Sequence, residues 1–195
     1  KNSEFDQNQD GFDTNSQNND DYYPPQDGAC PGGATSAITH THSCWVFMHN
    51  YVHDNNNPNV PSAGAAAAGP VGTGLSVSGG RDDTIMDNRF VNNGAWGAAF
   101  VPYPDLETPP KNAIPCLGGI PDFSVTLFGL PVTIACYYED SGNAMIGNTF
   151  THDGFYGNRT NGDIAELTLT GGPSNCFASN VSTSGNLTTS PGGLE

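Results

Sequence analysis

Two stretches decide how this chain is read: Thr84–Gly94, TIMDNRFVNNG, and Ala144–Gly154, AMIGNTFTHDG. Laid over each other they repeat one pattern. An apolar residue (Ile85, Met145) is followed three places on by Asn88 or Asn148, two further on by Phe90 or Phe150, and then by a turn pair, Asn93-Gly94 or Asp153-Gly154. Working outward, Phe47–Val52 and Phe177–Ser182 carry the same pattern around Asn50 and Asn180, and a looser copy opens the chain at Asn2, Phe5, Asn8 and Gly11. The four Asn residues stand 38, 60 and 32 residues apart (88 − 50, 148 − 88, 180 − 148).

Short strands that alternate inward apolar and outward polar residues fit these segments. An Asn between two of them bends the chain, because Asn tolerates left-handed φ/ψ. Stacked at one place in successive turns, Asn50, Asn88, Asn148 and Asn180 form an amide ladder that donates and accepts along the stack. Ile85 and Phe90 then lie over Met145 and Phe150, and stacking buries an apolar face that no single turn buries alone. The expected fold is all-β, a right-handed parallel β-helix with long loops, over a single domain, residues 1–195. A β-helix turn needs about two dozen residues, so the excess sits in loops. The rival reading is a β-sandwich of regular hairpins.

These residues carry a resemblance. TIMDNRFVNNG and AMIGNTFTHDG resemble the right-handed β-helix repeats of the pectin-lyase-like superfamily. The segment from Gly69, GPVGTGLSVSGGRDDTIMDNRFVNNGAWGAAFVPYPD, resembles secreted right-handed β-helix proteins of actinobacteria. The resemblance runs from about Asp10 to the last residue and implies a fold more than an activity, since one fold hosts many functions. It makes binding or processing of carbohydrate the first expectation, as a polysaccharide lyase or glycoside hydrolase if an enzyme. A structural or adhesive scaffold is the second.

Composition agrees with a turn-rich chain: 25 Gly, 15 Pro and only 13% charged residues disfavour long helices. The net charge is −15 with five basic residues, which opposes nucleic acid and anionic lipid. No apolar run reaches the ~20 residues of a membrane span. Five cysteines form no CxxC pair. The expected disulfides are Cys30–Cys44 and Cys116–Cys136, which place the protein outside the cell and leave Cys176 odd. A chain beginning at Lys1 reads as a mature secreted product or a fragment, with a missing segment or end-to-end association at open strand edges. Asn158, Asn180 and Asn186 head glycosylation sequons.

Further strands are expected at Thr73–Ser78, Trp96–Tyr103, Val125–Phe128, Val132–Tyr138 and Ile164–Thr170. Loops are expected at Pro58–Gly72 and Tyr103–Pro121.

The acidic first segment offers the most chemistry. Asp6-x-Asn8-x-Asp10-Gly11 matches the opening of a calcium loop, although Gln17 stands where a bidentate Glu belongs. Calcium is therefore expected, if anywhere, at Asp10, Asp13, Asp20 or Asp21. The stretch NQDGFDTNSQNNDD also resembles elements of polygalacturonase-type glycosidases, with Asp10 and Asp13 in one role and Asp20 and Asp21 in the other. The Gly-His-Gly and Arg-x-Lys elements of those enzymes are absent. A lyase would use a base such as Arg81 or Arg89, set beside Asp82, Asp83 and Asp87. Against this stands simple pairing of those arginines with the acids. His40, His42, His49 and His53 lie close in sequence and suggest a transition-metal site or plain exposed strand histidines. Trp96, Tyr103, Tyr138 and Tyr156 are candidates to stack on sugar rings of a polysaccharide or cell-surface glycan.

Overall fold

The computed structural model describes residues 1–14, 34–35, 42–43, 46–60, 63, 69–81, 83–105, 120–122, 125–127, 130–132, 135–169 and 175–195. The described residues form strands and turns and contain no helix. They fall into five tiers. The first holds β1 (Glu4–Asp6) and β2 (Asp10–Asp13), followed by a short hairpin of β3 (Ala34–Thr35) and β4 (His42–Ser43). The second holds β5 (Val46–Met48), β6 (Tyr51–His53) and β7 (Thr73–Ser78), and the third β8 (Thr84–Met86), β9 (Arg89–Val91) and β10 (Trp96–Val101). An insertion follows, with β11 (Tyr103–Asp105), β12 (Ile120–Asp122), β13 (Val125–Leu127), β14 (Leu130–Val132) and β15 (Ala135–Tyr138). The fourth tier is β16 (Ala144–Ile146), β17 (Thr149–Thr151) and β18 (Gly162–Glu166). The fifth is β19 (Cys176–Ala178), β20 (Val181–Ser182) and β21 (Thr189–Ser190).

Strands of successive tiers pair in parallel into three sheets, ordered β1-β6-β9-β17-β20, β2-β7-β10-β18-β21 and β5-β8-β16-β19. The same tier order in all three is compatible with a parallel β-helix. Register stacks like on like. Phe47, Ile85, Met145 and Phe177 align in one sheet. Phe5, Val52, Phe90 and Phe150 align in the next, and Phe12, Leu75, Ala98 and Ile164 in the third. These columns form the core, within which the Phe90 and Phe150 rings stack at 5.0 Å. As expected from the sequence, Ile85 lies over Met145 and Phe90 over Phe150.

The ladder runs through the tight corner between β5 and β6 and its equivalents. Asn50 donates from Nδ2 to Asn88 Oδ1 at 3.0 Å, Asn88 to Asn148 at 2.9 Å, and Asn148 to Asn180 at 2.9 Å. Each backbone N–H along the ladder donates to the same oxygen. The second Nδ2 proton of Asn88, Asn148 and Asn180 goes to a strand carbonyl of the tier before: Phe47, Ile85 and Met145. Asn88 and Asn148 thus have both side-chain donors and the acceptor engaged, the condition under which a buried polar group stabilises.

The bend itself is not made by the ladder Asn. Left-handed φ falls one residue earlier, at His49 (55°), Asp87 (53°), Gly147 (68°) and Ser179 (58°). The expectation that Asn supplies the turn conformation is corrected accordingly: one residue turns the chain and the next bonds the tiers.

Two further ladders accompany the first. At the next corner, Asn8 bonds Asn55, Asn55 bonds Asn93, and Asn93 bonds Asp153. At the third corner, Asp83 N–H donates to Asn143 Oδ1 and Asn143 N–H to Asn175 Oδ1. The last tier is closed by its own following residues: Asn180 N–H donates to Glu195 Oε1 at 2.8 Å, and Leu187 and Leu194 pack on the core.

Of the strands read from sequence, Thr73–Ser78 has the expected bounds. Trp96–Val101, Val125–Leu127, Ala135–Tyr138 and Gly162–Glu166 overlap theirs. Of the segment expected as a loop, Tyr103–Asp105 and Ile120–Pro121 are instead strand, since β11 and β12 flank β15 in an antiparallel sheet, and residues 106–119 lie outside the described residues. Pro104 and Pro121 sit on its outer strands, where a missing N–H is tolerated.

Cys30, Cys44 and Cys116 lie outside the described residues, and Cys136 is described in backbone only. Cys176 is exposed and free.

Candidate functional site

The acidic segment of the first tier folds as β1, a turn and β2. Strand β2 pairs on one side with β7, setting Asp10 beside Thr73, Phe12 beside Leu75 and Asp13 beside Ser76. Phe12 turns to the core and meets Phe5 and Phe47 at ring distances of 5.6 and 5.1 Å. Among the described residues no strand pairs with the other edge of β2.

The segment between β6 and β7 is tied to the residues just before β2, on the β7 side of that strand. Asn57 N–H donates to Asn8 O at 3.0 Å, Gly72 N–H donates to Gln9 O at 3.0 Å, and Gln9 Nε2 donates to Gly69 O. A groove of about 500 Å³ results, walled by Asn57, Val60 and Ala63 on one side and by Gln7–Asp13 on the other. That size suits a small ligand or a few sugar units.

Asp10 and Asp13 both line the groove and both hold a serine of β7. Ser76 Oγ donates to Asp10 Oδ2 at 2.5 Å and Ser78 Oγ donates to Asp13 Oδ1 at 2.7 Å. Asp10 Oδ1 is buried. Burial pushes the Asp10 carboxyl up to about 8; the Ser76 hydrogen bond works against this, the neighbouring Asp13 adds to it, and the Phe12 N–H also works against it. Asp10 is therefore a carboxylic acid at neutral pH.

The other candidates lie elsewhere. Asp20 and Asp21 are outside the described residues. Arg81 bridges to Ser141 at the third corner, near the buried acids Asp83 and Asp140, and does not line the groove. Arg89 lies over the Tyr51 ring at 5.1 Å, and Tyr51 stacks on His53 at 4.0 Å. His53 contacts Glu4 at 3.0 Å and Asp54 at 2.8 Å. Burial disfavours its charged form, but these two carboxylates outweigh that and raise its pKa.

Tyr138 is fully buried, so its expected role as a sugar platform is corrected: it packs inside, across from Tyr103. Tyr103 is half-buried at the start of β11. Trp96 is half-buried, its indole N–H donating to Thr160 O at 2.6 Å. Tyr156 is exposed, and its ring lies over Gly94, where a Cβ would fall 2.3 Å from it. None of the four lines the Asp10 groove.

Among the described residues no three His, Cys, Asp or Glu come together as a metal site. His40 is not described, His42 is described in backbone only, and His49 is an exposed corner residue. Asn180 is buried in its ladder, so its sequon offers no acceptor in the folded chain, whereas Asn158 and Asn186 are exposed. No helix among the described residues is long and apolar enough to cross a membrane.

Sequence reasoning did not single out Gln9, Asn57, Ser76 and Ser78, which build the groove. Only the Thr73–Ser78 strand signal pointed to two of them. It also passed over Asp140, whose carboxyl is driven well above its usual range by burial, with Asp83, Glu166 and Glu139 adding to the effect.

Compared with known proteins, the chain matches no family model, no curated protein and no solved structure.

Proposed function

We propose that this chain is an extracellular right-handed parallel β-helix of the pectin-lyase-like kind that binds glycan, and processes it if it has an activity, in the groove beside β2. The observation that carries this reading is the placement of two carboxyl groups, Asp10 and Asp13, along one groove. Asp10 is half-buried and held as an acid to about pH 8, while Asp13 lies three residues along the same strand. An acid can donate to a glycosidic oxygen while a second carboxyl group accepts, the division of labour used in glycoside hydrolysis. The Gln7, Asn8 and Asn57 amides suit ring hydroxyls, and Val60 and Ala63 supply apolar wall. The expected disulfides Cys30–Cys44 and Cys116–Cys136 belong with secretion.

The test is a panel of neutral, acidic and amino oligosaccharides, with and without calcium, read by calorimetry and by release of reducing ends and unsaturated products. Asp10→Asn and Asp13→Asn are each expected to weaken whichever glycan binds. No binding across the panel, or affinity unchanged in both variants, would overturn the reading. The second reading, a scaffold without catalysis, is favoured by the three ladders, which tie the described tiers rigidly together. It becomes the better one if the panel is silent.

A further inference from the structure

Away from the β2 groove, the turn between β17 and β18 holds two aromatic rings outward. We propose that Phe155 and Tyr156 form a second glycan contact, a platform on which the C–H face of a pyranose ring lies. The platform does not depend on the groove. Phe155 and Tyr156 are 45% and 44% exposed, against the tendency of large aromatic rings to bury. The backbone around them fixes their places. Tyr156 N–H donates to Gly94 O at 2.7 Å, Gly157 N–H to Gly154 O at 3.2 Å, and Asn161 N–H to Asn158 O at 3.0 Å. Tyr156 lies with one face down: a Cβ on Gly94 would fall 2.3, 2.4 and 2.6 Å from its Cε1, Cζ and Cδ1, and one on Gly72 2.7 Å from its Cε2. Phe155 stacks on His152 at 5.1 Å, and the His152 ring is in turn held by Asn92 Oδ1 at 2.9 Å.

Phe155 meets Tyr156 at 5.1 Å and 79°, a T-shaped contact. Such a contact uses the face of one ring and only the edge of the other, so the pair keeps one outward ring face. A fixed ring with polar groups beside it suits a sugar, because a pyranose joins an apolar C–H face to a rim of hydroxyls. The Asn158 amide and the Arg159 guanidinium supply the polar groups: both residues are exposed in the same turn and have no side-chain partner among the described residues. Area decides against a protein partner. At these exposures the two rings offer roughly 200 Å² together, whereas a stable protein interface takes about 800 Å² from each side. The turn's one acid, Asp153, is held by the Asn93 amide. Arg159 is therefore an exposed cation on a chain of net charge −15, and an acidic sugar is admitted as well as a neutral one.

The experiment is an NMR titration of the full chain at pH 7 that follows the ring protons of Phe155 and Tyr156, with three probes: cellotetraose, the galacturonate tetramer and decaproline. One or both oligosaccharides are expected to move these signals, and a preference for the galacturonate tetramer that Arg159→Ala removes would assign the carboxylate to Arg159. Phe155→Ala is expected to weaken the sugar's affinity about tenfold, equal to about 1.4 kcal/mol. Tyr156→Leu, which keeps bulk over Gly94, is expected to do the same, and Tyr156→Phe to bind as the parent does. Folding of each variant is checked by melting, and Phe155→Ala serves if Tyr156→Leu does not fold. Asp10→Asn and Asp13→Asn are expected to leave the ring shifts unchanged, because neither ring lines the groove. Ring signals unmoved by both oligosaccharides, or affinity unchanged in both ring variants, would overturn the platform and leave the groove to its own test. Decaproline binding more tightly than either sugar would overturn it too and reassign the rings to a proline-rich peptide.

Discussion

At the scale of single residues, each tight corner divides its labour between two neighbours. Asn88 makes five bonds through its N–H and side-chain amide: N–H and Nδ2 donate to Asn148, Nδ2 donates to Phe47 O, and Oδ1 accepts from the N–H and Nδ2 of Asn50. Asn92, four residues on, is instead a left-handed corner residue (φ 56°) whose side chain meets His152 near the surface. Asn88→Ala is therefore expected to destabilise by about 3 kcal/mol, because it strands buried donors and acceptors, and Asn92→Ala by about 1. Equal melting temperatures for the two variants would sink the assignment. The ladder was legible in the sequence because it demands one residue type at a recurring place, Asn50, Asn88, Asn148 and Asn180. The turning residue was not: His49, Asp87, Gly147 and Ser179 share a backbone conformation and no chemistry. The second ladder was half legible, since Asn93-Gly94 and Asp153-Gly154 read only as turns. Which of Tyr137 and Tyr138 is fully buried could not be read, because alternation shows that two neighbours differ but not which faces inward.

At the scale of elements, tier spacing is set by close backbone approach as much as by side chains. A Cβ on Gly74 of β7 would lie 2.5 Å from Gly97 O of β10 and 2.9 Å from the ladder nitrogen Nδ2 of Asn93. The neighbour is backbone and does not yield. Gly74→Ala is expected to destabilise by roughly 2 kcal/mol or more, lowering the urea midpoint without changing the slope. A variant as stable as the parent would show that β7 and β10 sit further apart. The groove depends on the same stacking, since Ser76 and Ser78 of β7 hold Asp10 and Asp13. This part of the candidate site was only partly visible beforehand. Asp10 and Asp13 stood out as acids in a suggestive order, whereas Asn57, Val60 and Ala63 come from a segment about fifty residues away that nothing local connects to them.

At the scale of the whole molecule, the buried acids act in concert. Burial raises Asp10 to about 8 and Asp153 to about 7, and also raises Asp140 and Asp163. A carboxyl whose folded pKa is raised keeps its proton longer when folded, so its contribution is full below the unfolded value near 4 and is lost as pH climbs to the folded value. His53, also raised, contributes below its ordinary range and loses that as pH rises. All five groups therefore favour mild acid. The melting temperature is expected to fall between pH 5 and pH 8.5, and Asp153→Asn to flatten part of the slope below pH 7 by removing one titrating group from the second ladder. A flat or rising profile would contradict the burial of these acids.

The ladder bonds among Asn and Asp side chains also have a direction, each tier donating to the one after it. A duplication or deletion that starts at any residue and stops at its equivalent one tier away leaves every donor facing an acceptor, as between Asn88 and Asn148. One that stops a residue short throws the corner seams out of phase together. Evolution can therefore lengthen such a molecule along its stack only in whole steps. The segments at the two looser corners, which carry the groove wall and the β11–β15 insertion, are free to vary one residue at a time.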